Sequence, residues 1–137
     1  MKEDIKFTQE MLKDGSELVY LKHRFQTKKT KEQLDWLFAC IRDSLLIVPL
    51  IPISHKPDLM EDPDGRKYLP LSSQKEQLPP DYADEFDLAY MSFAECADLA
   101  HSQKDAEGMA LDPFTETMII EYDMADVILK MPSRLYK

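Results

Sequence analysis

Residues 91–121, MSFAECADLAHSQKDAEGMALDPFTETMIIE, decide the fold because their local signals agree on a helix followed by a β-hairpin. Ser92 and Glu95 have the spacing of a capping box, in which each side chain caps a backbone N–H at the start of a helix. Apolar residues then recur at i, i+3, i+4 and i+7, which makes one helical face of Phe93, Cys96, Ala97 and Ala100. Residues 112–116 separate two short apolar runs, which predicts two strands joined by a tight loop.

The composition predicts one folded domain with an acidic surface. The chain has 137 residues, which is long enough to bury about two-thirds of the surface that its unfolded form exposes. Hydrophobic residues make up 44% of the chain, so it lies outside the compositions that stay disordered. The net charge of −9 disfavours nucleic acid as a partner, because phosphate binding relies on Lys and Arg.

The distribution of apolar residues and cysteines predicts a cytoplasmic protein. The first residues, MKEDIKFTQE, are charged from the second position and lack the apolar centre of a secretory signal. The longest apolar run, 45–53, has nine residues, whereas a helix that crosses a bilayer needs about 20. Cys40 and Cys96 are far apart and have no CxxC spacing. We therefore expect free thiols, no membrane partner and a cytoplasmic location.

The first helix is predicted over residues 17–26, where apolar side chains recur at helical spacing. A basic segment overlaps its end and consists of Lys22, His23, Arg24, Lys28, Lys29 and Lys31. These residues can be interpreted as a positive patch, but a charge run beside a helix is usually solvated. We favour the solvated face.

Two further helices have recognisable starting signals. Thr30 and Gln33 repeat the capping-box spacing ahead of a strongly periodic apolar stripe. Asp123 is the expected cap of a last helix, which should end before Pro132 because proline cannot continue a helix.

Five short apolar runs predict strands, near residues 45–53, 67–71, 86–90, 109–111 and 117–121. Pro49 and Pro52 cannot donate to a ladder, so the first strand is expected at a sheet edge or with a bulge. The amphipathic helices need a surface against which to bury their apolar stripes, and the strands supply it. The predicted fold class is therefore α+β: a single small domain with one mixed or antiparallel sheet of about five strands, covered by amphipathic helices.

Two acidic clusters invite comparison with metal sites. They are Asp58, Glu61, Asp62 and Asp64, and Asp81, Asp84, Glu85 and Asp87. The first cluster contains part of a calcium-loop pattern, but the Asp or Asn required at the next ligand position and the distal Glu are absent, and Ser73 stands in place of that Glu. We interpret both clusters as solvated loops and expect neither a metal nor a cofactor.

Three short motifs occur in order along the chain. Residues 68–73 read YLPLSS, residues 91–95 read MSFAE and residues 108–114 read GMALDPF. Together they resemble the N-terminal domain of the SseB family, named for enhanced serine sensitivity, over roughly residues 31–130. The resemblance implies a small cytoplasmic α/β domain with no established catalytic residues. The chain departs from the family pattern at Ser72, where an aromatic residue is frequent, and at Asp112, where Asn is frequent.

The resemblance also suggests a division of the chain. Residues 1–30 are predicted to form an N-terminal helical extension. Residues 31–137 are predicted to form the SseB N-terminal-like α+β domain.

A thiol-dependent enzyme that uses Cys96 is the alternative function. Cys96 and His101 are five residues apart, so they do not share a helical face, and Cys96 lies on the apolar stripe. A buried, structural cysteine is the interpretation we favour, and we predict no enzymatic activity. Alkylation of the native protein separates the two alternatives, because a buried Cys96 stays unmodified.

The favoured function is a non-catalytic binding or adaptor module whose partner is a protein or peptide. We place the contact on two predicted loops, which carry Leu69, Pro70 and Leu71, and Asp112, Pro113, Phe114 and Thr115. Phe114 motivates this choice, because an aromatic residue at a hairpin tip either folds back into the core or is displayed to a partner. Phe93 opens the stripe of the central helix and is expected to be fully buried.

Overall fold

The computed structural model describes residues 7–8, 12 and 14–134. Among the elements whose residues are all described, two helices come first, α1 (Ser16–Thr27) and α2 (Lys31–Asp43). The remaining elements are, in order, β1 (Leu45–Leu50), β2 (Met60–Glu61), β3 (Lys67–Leu71), α3 (Pro80–Asp84), β4 (Asp87–Ser92), α4 (Phe93–Ser102), β5 (Ala106–Leu111), β6 (Met118–Glu121) and α5 (Tyr122–Lys130). A 3₁₀ turn, Lys75–Gln77, lies between β3 and α3. The short elements β2 and α3 were not predicted.

The strands form two sheets rather than the single sheet that the sequence predicted. One sheet has the order β2–β3–β5–β6, with β3 and β5 parallel and the other pairs antiparallel. The second sheet is the antiparallel pair of β1 and β4. The α+β class is confirmed, but the prediction of one sheet, which would have contained both Ile47 and Ile119, is wrong.

Two prolines explain why the sheets stay separate. Ile47 and Ser72 form a bridge between them, in which each amide donates to the other residue's carbonyl at 2.9 and 2.8 Å. The next hydrogen-bonded pair in that register, two residues further along β1, would place Pro49 opposite Pro70. Neither residue has an N–H to donate, so the ladder between β1 and β3 cannot continue in that direction.

The helix starts agree only in part with the sequence signals. Ser92 and Glu95 form the predicted capping box, in which the Glu95 amide donates to Ser92 Oγ at 3.2 Å and the Ser92 amide to Glu95 Oε1 at 2.9 Å. Thr30 accepts from the Gln33 amide at 3.1 Å, but Gln33 Oε1 is buried without a hydrogen-bond partner. The second capping box is therefore only half formed. Asp123 lies inside the first turn of α5 and does not cap it.

One hydrophobic core joins the helices to both sheets. Phe93 is fully buried, as predicted, in a cluster that includes Leu37 of α2, Leu46 of β1 and Leu69 of β3. Trp36 packs at the margin of this core, edge-on to Phe7 with the ring centroids 5.6 Å apart. None of the helices in the described ranges is both long and apolar enough to span a membrane.

Candidate functional site

The loop between β5 and β6 covers residues 112–117 and is anchored by Asp112. Asp112 has a φ of 53°, a left-handed conformation that Asp adopts more readily than most residues. Its amide donates to the Leu71 carbonyl at 2.7 Å. Its Oδ1 accepts from the Ser73 amide at 2.8 Å, and its Oδ2 accepts from the Ser73 hydroxyl at 2.7 Å. The base of the loop is thus fixed to the end of β3.

The charge of Asp112 is balanced by Lys22 of α1. Lys22 Nζ donates to Asp112 Oδ2 at 2.7 Å and also to the Glu116 carbonyl. The Lys22 side chain is 2% exposed and that of Asp112 is fully buried, so each charge depends on the other for compensation. The solvated-face interpretation is therefore wrong for Lys22. It is confirmed for the other members of the basic segment, which are exposed: His23, Arg24, Lys28, Lys29 and Lys31.

The start of α1 docks on the same corner of the structure. Gly15 has a φ of 78°, and a Cβ at this position would lie 1.9 Å from the Ser73 carbonyl oxygen. Glycine is therefore required for this close approach. Gln74 Nε2 donates to the Asp14 carbonyl at 3.1 Å. The segment after β3 thus holds both the start of α1 and the hairpin loop.

Phe114 lies at the tip of this loop beside two other aromatic rings. Its ring centroid is 4.8 Å from that of Tyr82, which is in turn 4.5 Å from that of Phe86. Phe114 is 37% exposed. The Thr115 hydroxyl donates to Gln77 Oε1 and ties the loop to the 3₁₀ turn. We call Tyr82, Phe86 and Phe114 the aromatic surface.

The hydroxyl of Tyr82 is held in its neutral form. Burial, with a smaller contribution from the neighbouring Asp58 carboxylate, raises the pKa of Tyr82 to about 12. The hydroxyl is 3.5 Å from Asp58 Oδ2 and donates to it. At neutral pH the aromatic surface therefore offers rings and a protonated hydroxyl, and no reactive phenolate.

The first of the two predicted binding loops is a strand. Leu69, Pro70 and Leu71 belong to β3, which lies between β2 and β5, and all three are buried. The sequence predicted this stretch both as a strand over residues 67–71 and as a binding loop; the strand is confirmed, with Pro70 accommodated inside the sheet, and the loop assignment is wrong. Within the second loop Asp112 is also buried. Pro113 is half-buried and Phe114 and Thr115 are exposed, so these three side chains are accessible to a partner.

A family model described as the SseB protein N-terminal domain matches residues 24–123. The chain belongs to the SseB family. No curated protein and no solved structure matches it. The matched range begins in α1 and ends in the first turn of α5, so Lys22 lies outside it.

The three motifs that carry the SseB resemblance are structural. The motif at residues 68–73 forms most of β3 and the segment after it, and residues 108–114 form its parallel neighbour β5 and the start of the hairpin loop. Residues 91–95 form the junction of β4 and α4, including the capping box. Asp112, where Asn is frequent in the family pattern, forms a buried ion pair with Lys22. In this SseB-family chain the carboxylate therefore compensates the charge of the buried lysine.

The thiol considered as a nucleophile has the surroundings of a core residue. Cys96 of this SseB-family chain is fully buried, and burial raises its pKa to about 12, with a smaller contribution from Glu95. Since the thiolate is the reactive species, burial and the raised pKa disfavour reaction of this thiol near neutral pH. His101 lies at the end of α4 and stacks on Tyr122, with the ring centroids 4.0 Å apart.

The first acidic cluster of the SseB-family chain organises a turn. Asp62 Oδ1 accepts from the amides of Asp64 and Arg66, both at 2.9 Å, and Gly65 follows with a φ of 85°. This pattern is an Asx-type turn, which explains the carboxylate at position 62. Within the ranges described, no three His, Cys, Asp or Glu side chains are grouped as metal ligands.

Four residues of the site were not predicted, namely Lys22, Ser73, Tyr82 and Phe86. A signal was present for Lys22, which is four residues after Leu18 and so falls on the apolar stripe of α1 with Leu18, Leu21 and Phe25. A signal was also present for Tyr82 and Phe86, which have the i, i+4 spacing of interacting side chains within the second acidic cluster, interpreted as a solvated loop.

Proposed function

We propose that this SseB-family chain is a cytoplasmic, non-catalytic binding or adaptor module that recognises a protein or peptide through the aromatic surface. The observation that carries the proposal is the exposure of Phe114 on a loop whose base is fixed by the buried Asp112. Function is often carried by loops that a rigid scaffold positions, and this loop has that character.

Preorganisation supports a binding role for this loop. The loop is held by Lys22 at its base and by the contact of Thr115 with Gln77 near its tip. The Phe114 ring is held against Tyr82. Ordering a mobile loop on association opposes binding, and a loop that is already fixed avoids that loss of entropy.

The aromatic surface suits a partner that presents an apolar side chain. Tyr and Phe bury large areas at low cost in conformational entropy, and aromatic anchors dominate many protein interfaces. Pro113 and Thr115 flank Phe114 and would form the less apolar margin of such a contact. The hydroxyl of Tyr82, which donates to Asp58, adds a polar group to the aromatic surface.

The surroundings of Cys96 support a non-catalytic role over a thiol-dependent enzyme. We expect Cys96 to resist iodoacetamide in the native protein at pH 8 and to react fully in urea, because its pKa is raised by burial. Rapid labelling of the native protein would instead favour the enzyme.

The binding proposal is tested by comparing three forms of the chain as bait in cell extracts: the wild type, Phe114→Ala and Leu129→Ala. Leu129 lies on α5 and is also 37% exposed, so its truncation is a matched control. Proteins captured by the wild type are then purified, and their affinities are measured by calorimetry. We expect Phe114→Ala to weaken binding by about tenfold or more, because it removes an aromatic anchor from the contact.

The same measurement can reject the proposal. If the purified partners bind Phe114→Ala as tightly as the wild type, or if Leu129→Ala weakens them equally, the aromatic surface is not the contact. The variants must first be shown to unfold at urea concentrations close to that of the wild type.

A further inference from the structure

The outer edge of β4 has no neighbouring strand in the part of the chain that the structure describes. β4 pairs with β1 on one side alone. In β1, Leu46, Ile47, Val48 and Pro49 are buried, whereas every residue of β4 is exposed or half-buried. β4 is therefore an open edge that runs along the surface.

The direction of the unpaired backbone groups follows from the bridge between the sheets. Ile47 exchanges both of its backbone hydrogen bonds with Ser72, so its N–H and C=O point away from β4. Ile47 stands opposite Tyr90, which makes this a non-hydrogen-bonded pair of the antiparallel ladder. The N–H and C=O of Tyr90 therefore point away from β1, and those of Leu88, two residues earlier, do the same.

These outward groups remain available. No backbone or side-chain hydrogen bond joins the backbone of Leu88 or Tyr90 to any described turn, loop or cap. Each residue offers one donor and one acceptor to an added strand. The next outward position, Ser92, is already occupied because its amide donates to Glu95 Oε1 in the capping box. The open segment is thus limited to the first part of β4.

An apolar patch lies beside this edge. Tyr90 is 61% exposed and Leu45 is 58% exposed. Leu45 pairs with Ser92, so Leu45 and Tyr90 are diagonal neighbours on one face of the two-stranded sheet, within reach of each other's side chains. A strand added next to Tyr90 would cover part of this patch.

The charge around the edge specifies the chemistry of its occupant. Residues 76–100 include seven Asp or Glu and no Lys, Arg or His. Of these, Asp84, Glu85 and Asp87 are exposed just before or at the start of β4, and Glu95 is exposed just after its end. A basic segment is attracted to this edge. A second copy of the chain would bring the same acidic residues and a further net charge of −9.

We propose that the β4 edge binds an extended, basic segment of a partner protein, which adds to the sheet as a strand beside Leu88 and Tyr90. Backbone hydrogen bonds supply the affinity in this mode of recognition, while the side chains next to the edge select the sequence. The inference goes beyond the proposed function, because it concerns the unpaired backbone groups of β4 and does not require Phe114.

The test uses a fluorescent peptide of alternating residues, acetyl-Lys-Val-Lys-Val-Lys-Val-Lys-amide, as a probe for anisotropy titrations. Residues that pair with Leu88 and Tyr90 place their side chains on the Tyr90 face, so the Val residues should supply the bonded N–H groups. We expect the probe to bind. An analogue N-methylated at the Val residues should bind at least about tenfold more weakly, because it lacks the N–H groups that bond to β4. An analogue with Glu in place of Lys should not bind.

Variants of the chain complete the test. Tyr90→Pro removes an outward N–H that the ladder with β1 does not use, so the protein should stay folded and lose affinity for the probe by about tenfold. The triple variant Asp84→Asn, Glu85→Gln, Asp87→Asn keeps the strand and should weaken binding through charge alone. Phe114→Ala should bind the probe like the wild type, which separates this inference from the proposed function.

Four outcomes would overturn the proposal. They are a failure of the basic probe to bind at millimolar concentration, equal binding of the N-methylated analogue, and equal binding by folded Tyr90→Pro. The fourth is a dimer in analytical ultracentrifugation that Tyr90→Pro dissociates, since it would assign the edge to a second copy of the chain.

Discussion

Lys22 and Asp112 are the two residues on which the geometry of the hairpin loop depends most. Their charges are removed from water, and Asp112 receives further hydrogen bonds from Ser73 while Lys22 donates to the Glu116 carbonyl. A buried ion pair gains little over an apolar pair of the same shape, because both charges must be desolvated. Removing one partner is much more costly, since it leaves the other charge buried and uncompensated.

We therefore predict strong coupling between these two positions. Lys22→Met should lower the free energy of unfolding by about 3–5 kcal/mol, because Asp112 is left as a buried, uncompensated carboxylate. Asp112→Asn should also be destabilising, since it leaves the Lys22 charge buried. The double variant should lose clearly less free energy of unfolding than the sum of the losses of the two single variants. Urea denaturation of the three variants measures the coupling, and losses that add to within about 0.5 kcal/mol would contradict it.

At the scale of elements, α4 and the hairpin loop present two phenylalanines in opposite situations. Phe93 is fully buried at the start of α4, whereas Phe114 is partly exposed and contacts Tyr82. Phe93→Ala should cost about 3–5 kcal/mol, because it removes a large core side chain and leaves a cavity. Phe114→Ala should cost about 1 kcal/mol, the centre of the range for point substitutions, because it loses only the contact with Tyr82 and no core packing. Chemical denaturation compares them, and equal losses of several kcal/mol would make Phe114 a core residue.

The elements were predicted where the signal is local. The capping box of Ser92 and Glu95 and the stripe behind it fixed α4, and residues 67–71 were placed in a strand whose observed bounds are the same. The division into two sheets was not predictable in this way. It depends on the register between β1 and β3, which places Pro49 opposite Pro70. Neither segment by itself determines that register.

At the scale of the whole molecule, the site depends on contacts between distant segments. The display of Phe114 was one of two alternatives left by the sequence, and its exposure agrees with that alternative. Its contact with Tyr82 was not foreseen, and neither was the ion pair of Lys22 and Asp112, which spans 90 positions. Local periodicity shows which face of a helix is apolar, but it does not show which distant carboxylate a buried lysine meets.

The boundary at residue 30 remains a prediction, and the contacts of α1 bear on how it should be tested. Leu18 and Leu21 of α1 belong to the same core cluster as Phe93, and Lys22 neutralises Asp112. A fragment of residues 31–137 would expose the apolar surface that α1 covers and would leave Asp112 without its cation.

We therefore expect the fragment 31–137 to be less stable than full-length Lys22→Met, because it loses the ion pair and the apolar contacts together. In the fragment Asp112 has no cation, so Asp112→Asn should raise its stability, whereas in the full chain the same substitution lowers it. This reversal of sign, measured by urea denaturation of the four proteins, would show that the N-terminal helix stabilises the fold through Lys22. A fragment as stable as the full chain, with Asp112→Asn destabilising in both, would instead make the extension dispensable and would require another source of compensation for the Asp112 charge.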